Sequence, residues 1–486
     1  MPATGSVGVD LPEIRSPLAN SADLAFASTF VINMERFGAL LFQRGGTPAW
    51  ELDIHHGAFL RALELTGDWS ASWRIASEIP GGAAFAPEVA MLTSMGVLVK
   101  TVVANSQTPI TEAQASRKIA DEIGHSRRRT GLKAPTLLTI YPDLFCQQRC
   151  SFCFLTQSDK GDHGITVSTA LEPEPWLQLL RQAKELGVAG ISLLGGEPTL
   201  YRGLPAIIRE CQELELSLGI TSNGLSVPKE VRELLKESES TMMCFSLESM
   251  DPAIHKRHTG VDNRVVLKTM DAFHRDGITF NVNTVGLGQS YEDLCAIADA
   301  CGSYEARVWF LNLYYAKEMH PRAFPGYSWY GEMDTQLRAY TGSSHPNLQY
   351  QMFGCQLYWT QPEERLAQPS SATEYNKAIS GCAAGINQLE ILPDGTALPC
   401  MQMDLETYNC GNVFVSGLEE VWYEAEVLTH LRQKLISDHS ACGVCPFAER
   451  CRGGCPERQR IAESEKGERV DHMCPHLPDD VTLRLA

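Results

Sequence analysis

The sequence predicts an α/β protein built on a partial (β/α)6 barrel, with a small winged-helix-like domain before it and a cysteine-rich domain after it. Three observations lead there. Between residues 135 and 315, six short apolar segments alternate with amphipathic helical stretches, the pattern of a parallel sheet joined by right-handed crossovers. The 16 cysteines fall mostly into two dense groups, near residue 150 and after residue 380. The chain's 486 residues, 44% of them hydrophobic, are enough for about three domains with cores of their own.

Composition excludes several classes. A formal charge of -18 speaks against broad contact with nucleic acid or anionic lipid. No apolar run reaches the roughly 18 residues of a membrane span. Sixteen cysteines would suit a secreted disulfide scaffold, but such scaffolds are short, and no charged segment followed by an apolar one opens this chain. The expectation is a reducing, cytoplasmic setting, in which clustered cysteines read as metal ligands.

Residues 1–28 are rich in Ala, Ser, Pro and Asp without periodicity, and read as a flexible lead-in. Residues 29–104 form the front domain. TFVINME, FGALLFQRG and TPAWELD read as three strands, Ala58 to Leu65 and Ala71 to Ile79 as helices, and Pro87 to Ser94 as a further helix that stops at Gly96 before the strand VLVK. Residues 105–134, with Arg127, Arg128 and Arg129, read as a polar helical linker.

In 135–315 the strands are TLLTIYP, GISLLGG, SLGITSN, TMMCFSLES, ITFNVNTV and ARVWFLNLYY. A barrel of this kind places its functional residues just after each strand. Residues 316–380 read as a bridge, and 381–486 as the second cysteine domain. Within it, LEILPDGTALPC reads as a hairpin turning at Asp394-Gly395, with Cys400 at its end.

Cys146, Cys150 and Cys153 follow the first barrel strand as CxxxCxxC. Three thiolates on one loop can hold three irons of a [4Fe-4S] cluster and leave the fourth open to a small ligand. Structural zinc is the alternative, but it wants four protein ligands, and no partner cysteine or histidine follows nearby. Here the chain resembles the radical S-adenosylmethionine (SAM) superfamily over about residues 135 to 315.

The resemblance implies that Phe152 lies along the SAM adenine and that Gly195-Gly196-Glu197-Pro198 receives the methionyl ammonium. It makes Ser222 and Asn223, in Thr221-Ser222-Asn223-Gly224, and Ser246, in Ser246-Leu247-Glu248, further candidate SAM contacts. Thr259 stands where relatives often carry an arginine, leaving Arg257 as the nearby candidate for a carboxylate. Ordinary strand-end hydrogen bonding is the plainer reading of Ser222, Asn223 and Ser246.

The later cysteines, Cys382-x12-Gly395-x4-Cys400, then Cys442, Cys445, Cys451 and Cys455, then Cys474, resemble the SPASM extension of that superfamily. The resemblance implies two auxiliary [4Fe-4S] clusters, Cys382, Cys400 and Cys455 on the first and Cys442, Cys445, Cys451 and Cys474 on the second. The first lacks a fixed fourth ligand: Cys410, a site open to substrate, or a distant cysteine such as Cys355 are the alternatives. Zinc ribbons are the alternative for the domain as a whole. Sulfatase-maturing relatives place an Asp directly after the second SPASM cysteine, where this chain has Met401 and Gln402; Asp404 lies close by. The single cysteines 211, 244, 295, 301 and 355 read as interior hydrophobes.

The front domain resembles the PqqD-like RiPP recognition element, which binds leader peptides of ribosomally made, later modified peptides. Five Arg or Lys against seven Asp or Glu in residues 29–104 disfavour a DNA-binding version. Together the resemblances imply a peptide maturase with SAM and three [4Fe-4S] clusters. The SAM-binding cluster would deliver one electron to SAM, giving methionine and a 5'-deoxyadenosyl radical that removes a hydrogen from the peptide. A net two-electron oxidation that cross-links the peptide is the expected outcome. A precursor peptide and a flavodoxin or ferredoxin are the implied partners, and no catalytic residue beyond the SAM cluster is identified. The alternatives are a SPASM dehydrogenase or maturase for a small molecule or folded protein, and a non-catalytic iron-sulfur redox sensor.

Overall fold

In the computed structural model, the described residues are 24–27, 30–43, 49–81, 85–100, 109–155, 172–315, 324–355, 357–360, 381–433 and 440–485. They divide into two units. The first holds the described residues up to 134 together with 185–189; the second holds nearly all the rest.

The first unit starts earlier and ends later than the sequence suggests. Most of the expected lead-in lies outside the described residues, but Leu24–Phe26 is a strand (β1) paired antiparallel with Leu98–Lys100 (β5). Phe30–Glu35 (β2), Gly38–Gln43 (β3) and Ala49–Leu52 (β4) form an antiparallel meander in that order. Helix α1 (Ile54–Thr66) begins where the Asp53 carboxylate accepts from the backbone of His55 and His56, and ends at Gly67 in the left-handed region. Its Phe59 meets Trp69 of α2 (Trp69–Glu78) edge-on at 4.8 Å.

Helix α3 (Val89–Ser94) adds Leu92 to the same core. The expected linker is largely a helix, α4 (Glu112–Ser126), opened by a Thr111/Gln114 capping box and burying Ala115 and Ile119 in this core. Arg61 of α1 binds Glu122 of α4 through Nη2 at 2.7 Å and Nε at 3.2 Å, a fork that fixes the helix pair. A sequence reading misses this because α4 is mostly polar and shows its apolar positions only once a partner surface is in place.

Glu35, at the end of β2, is 3% exposed and accepts from the Lys133 backbone N–H at 3.0 Å. Burial pushes its carboxyl up to about 7. The folded unit therefore keeps a proton that the unfolded chain gives up near 4.5. This contribution is full below that pH and is lost as pH rises through about 7, a swing on the order of 3 kcal/mol. Glu35→Gln is expected to flatten that decline; urea midpoints at pH 5 and pH 8 that shift in the variant as much as in the parent protein would refute it.

In the second unit the six expected barrel strands are present as β6 (Leu137–Ile140), β7 (Gly190–Leu193), β8 (Leu218–Ser222), β9 (Thr241–Ser246), β10 (Phe280–Gly286) and β11 (Val308–Leu313), each parallel to the next. The helices between them are α5 (Glu174–Leu186), α6 (Leu204–Glu213), α7 (Lys229–Lys236), the pair α8 (Pro252–Thr259) and α9 (Arg264–Arg275), and α10 (Tyr291–Ser303). Two additions extend the sheet. A seventh parallel strand, β12 (Gln349–Phe353), follows α11 (Tyr327–Ser344) and pairs with β11, inside what reads as a bridge. The hairpin of β13 (Gln388–Ile391) and β14 (Ala397–Leu398) turns at Asp394-Gly395 as expected, and β13 pairs parallel with β6. The cysteine-rich region is thus continuous with the barrel sheet, giving nine strands among the described residues.

Alternation along the strands sets the two faces. Phe245 of β9 packs edge-on against Phe273 of α9 at 4.9 Å, so that face is covered by helices. Cys244 and Ser246, with Asn281, Asn283 and Val285 of β10, point to the other face and are only half-buried. Asn312 of β11 donates to Asn283 there. This half-covered polar face is the concave side of the sheet.

Candidate functional site

Every strand of a parallel sheet ends on one rim, and that rim carries the site. Cys146, Cys150 and Cys153 lie half-buried in the loop after β6, with Phe152 half-buried among them. The Cys153 N–H donates to the Cys150 carbonyl at 3.1 Å and the Gln148 N–H to Cys146 Sγ at 3.4 Å. Neighbouring segments hold the loop. The Gly196 N–H donates to the Asp143 carbonyl at 3.0 Å and the Glu197 N–H to that of Phe145 at 2.8 Å. A Cβ on Gly196 would stand 2.0 Å from the Phe145 carbonyl oxygen, and one on Gly195, at φ +145°, 2.4 Å from that of Asp143. The paired glycines let the loop after β7 lie directly on the cysteine loop.

Glu197 is 2% exposed and its carboxylate is engaged by protein donors. Oε1 accepts from the Thr199 N–H at 3.0 Å, the Thr199 hydroxyl at 2.7 Å and the Ser222 hydroxyl at 2.8 Å, and Oε2 from the Asn223 N–H at 2.8 Å. Burial pushes its carboxyl up, and these donors oppose that. Glu197 and Ser222 therefore join the ends of β7 and β8. Asn223 turns its amide toward the cysteines, with Nδ2 at 3.9 Å from Cys146 Sγ.

Ser246 ends β9 on the concave face, in register with Asn283. Two residues on, Glu248 is fully buried: Oε2 accepts from the Val285 N–H at 2.7 Å, while Oε1 has no hydrogen-bond partner among the described residues. Burial raises its carboxyl to about 8. Beside it, burial lowers His255 to about 4, and the neutral ring accepts from the Glu248 N–H through Nδ1 at 3.2 Å. Helix α8 reaches the cysteine loop through His258, whose carbonyl accepts from the Ser151 N–H at 2.8 Å and whose Nδ1 lies 3.2 Å from Ser151 Oγ. Arg257 is exposed on the same helix. Glu248 and His258 escape a sequence reading, although a carboxylate two residues beyond an apolar strand is a usable signal.

The donor set suits the cofactors. Three thiols on one short loop match a four-iron cluster with one iron left for a small molecule. The half-covered polar face beside the loop suits a ligand with hydroxyl and ammonium groups.

The second cysteine group is organised by one buried ion pair. Arg458 and Asp471 are 2% and 1% exposed, with Nε to Oδ1 at 2.9 Å. Asp471 Oδ2 accepts from Arg458 Nη2 at 2.9 Å and from the Cys455 N–H at 2.7 Å, and the Asp471 carbonyl accepts from the Cys474 N–H at 3.0 Å. Cys474 lies in the electrostatic reach of Cys451 and Cys442. Toward the barrel, Tyr315 OH lies 3.5 Å from Cys455 Sγ, and Tyr141 OH donates to Glu390 Oε2 at 2.6 Å across the β6–β13 pair. Cys410 is buried, with its N–H donating to the Ala397 carbonyl of β14 at 2.9 Å and its Sγ to the Tyr408 carbonyl at 3.5 Å. Asp404 accepts from the N–H and hydroxyl of Thr407.

Fold and site together define a partial-barrel α/β protein that uses SAM and [4Fe-4S] clusters. Family comparison agrees: residues 140–301 match the Radical SAM superfamily and residues 382–452 match SPASM, an iron-sulfur cluster-binding domain. The chain carries both a radical SAM domain and a SPASM domain.

Streptococcus suis SuiB bound to S-adenosylmethionine has the same fold at a TM-score of 0.76 and 23% identity, over 90% of this chain and 96% of that one. SuiB bound to precursor peptide SuiA gives 0.76 at 23% identity, over 90% and 97%. Native anSMEcpe with bound AdoMet gives 0.51 at 16% identity, over 72% and 95%. A probable GTP 3',8-cyclase of Thermococcus kodakarensis is 32% identical over 117 residues, 24% of this chain; the match spans 36% of that relative's length. Among the described residues no helix is long and apolar enough to cross a membrane.

Proposed function

We propose that this protein is a maturase that oxidatively modifies, by cross-linking, a ribosomally synthesised precursor peptide held through its leader by residues 29–104, a PqqD-like recognition element. The observation that carries the reading is the fold likeness to SuiB, which extends over 90% of this chain and includes a structure with a precursor peptide bound. The front unit offers a physical means of capture. Among its described residues, β2 and β4 each have one hydrogen-bonded neighbour, β3, so an extended leader can add as a further strand.

When bound, SAM and the clusters supply the one-electron chemistry; the chain supplies position and exclusion of water. The loop after β7 and the end of β8 fix the cysteine loop. The concave polar face, with Ser246, Asn283 and Asn312, offers hydrogen bonds that orient a peptide segment. A flavodoxin or ferredoxin in the cytoplasm would provide electrons.

The test uses the full-length protein, labelled short peptides encoded beside its gene, and fluorescence polarisation, followed by mass spectrometry after anaerobic turnover. Saturable binding through the leader and loss of two hydrogens per bond formed are expected. Failure to bind any such peptide, with turnover of a small molecule instead, would overturn the reading.

A further inference from the structure

We infer that Tyr315 tunes the first auxiliary cluster: its hydroxyl donates to the Cys455 sulfur and raises the potential at which that cluster takes up an electron. The inference rests on the assignment of Cys455 to this cluster and is independent of the substrate.

The barrel delivers the hydroxyl. Tyr315 lies two residues beyond β11, at the rim where the parallel strands end. The chain is fixed there from two sides. The Tyr314 N–H donates to the Tyr330 hydroxyl of α11 at 2.8 Å, and that hydroxyl donates to the Gly286 carbonyl at the end of β10. A Cβ on Gly354 would stand 2.8 Å from the Leu313 Cβ, so the backbone leaving β12 lies directly against the end of β11.

One ion pair then places both partners of the contact. The buried Arg458 guanidinium stands 5.4 Å from the centre of the Tyr315 ring, and its own position is set by two-point pairing with Asp471. On the other side, Asp471 Oδ2 accepts from the N–H of Cys455, a buried free thiol, at 2.7 Å. A Cβ on Gly454, at φ +83°, would stand 2.4 Å from that same oxygen, so glycine is what lets the carboxylate reach the backbone of Cys455. With ring and sulfur both held, the Tyr315 hydroxyl meets Cys455 Sγ at 3.5 Å. Among the described residues that sulfur is the hydroxyl's one hydrogen-bond partner.

Chemistry gives the contact its direction. Between a thiol and a phenol either group can donate, but a cysteine that binds iron has given up its proton. The bond then runs from O–H to sulfur. It draws off negative charge and favours the reduced, more negative cluster, which raises the potential. The donor belongs to the strand that also carries Asn312 of the concave face, while the sulfur belongs to the cysteine-rich region. The tuning therefore exists only where the two regions are joined.

The experiment uses the full-length protein, reconstituted anaerobically with SAM and without peptide. Iron content is measured, and the reduced signals are followed by electron paramagnetic resonance as the applied potential is lowered. Tyr315→Phe keeps the ring and removes the donor. It is expected to hold the parent protein's iron, about 12 per chain, and to lower the midpoint of one auxiliary signal. At the parent midpoint the reduced-to-oxidised ratio should fall roughly tenfold, equivalent to about 59 mV for one electron. The signal that moves is expected to be the one missing from Cys455→Ala, and the other two midpoints should stay where they are. Unchanged midpoints in Tyr315→Phe at full iron content, or a shift confined to a signal that Cys455→Ala retains, would overturn the inference. So would loss of iron in Tyr315→Phe, which would make the tyrosine a support for cluster loading. Full iron in Cys455→Ala would instead overturn the cluster assignment beneath it.

Discussion

Cys150→Ala is expected to reduce 5'-deoxyadenosine formation, from SAM and a chemical reductant under anaerobic conditions, to the level of a reaction without protein. Cys150 shares one loop with Cys146 and Cys153, and that loop is fixed on two sides. The loop after β7 lies on it through Gly195 and Gly196, and His258 of α8 holds Ser151. A loop so fastened cannot recruit a replacement thiol by shifting.

Burial and the nearby Glu248 push the Cys150 thiol up, so iron must displace a proton to bind, and two remaining thiols give too few bonds to offset that. Iron should fall by about four of twelve per chain while the auxiliary clusters persist. Liquid chromatography of the nucleoside product and an iron assay on the same sample check both parts. Retained 5'-deoxyadenosine formation would mean that the reaction does not depend on this loop.

Asp471→Asn has the largest expected effect on stability. The substitution preserves shape but leaves the Arg458 guanidinium, 2% exposed, without its counter-charge. Breaking a buried pair in this way costs about 3–5 kcal/mol. The loss does not stay local, because the Asp471 carboxylate also accepts from the Cys455 N–H, whereas the Cys474 N–H bonds to the backbone carbonyl of residue 471, which Asn retains. Cys455 belongs to the first auxiliary set that the SPASM resemblance implies, so that cluster should load poorly.

The expected result is a lower anaerobic unfolding midpoint together with iron falling toward about eight per chain, the content left when one four-iron cluster is lost. Replacing both partners by apolar residues, Arg458→Met with Asp471→Leu, should recover part of the stability, since no uncompensated charge then remains. A single variant that unfolds like the parent protein and keeps its iron would show that the pair is dispensable.

The candidate site was legible to different depths. The six barrel strands could be read because each is a short apolar run between amphipathic helices. The strand β12 could not: QYQMF is short, and it buries only Tyr350 and Met352. Helix α4 was legible as a helix but not as part of the first unit, because only Ala115, Ile119 and Ser126 of its residues are buried. The cysteine loops were visible from spacing alone. The residues that hold them, His258, Arg458 and Asp471, were not, since a polar side chain reveals its burial only when distant segments meet.

Glu390 shows the same boundary. In the sequence it is one acidic residue in an apolar hairpin; in the fold, β13 lies beside β6 and places it under the Tyr141 hydroxyl. Local pattern was enough for the alternating strands and helices, the hairpin at Asp394-Gly395 and the grouping of the cysteines, because periodicity, turn chemistry and ligand spacing are written in neighbouring residues. Only the folded chain joins the hairpin to the barrel sheet and buries Arg458 with Asp471. Those outcomes depend on which surfaces meet, and no local pattern encodes a contact between segments so far apart along the chain.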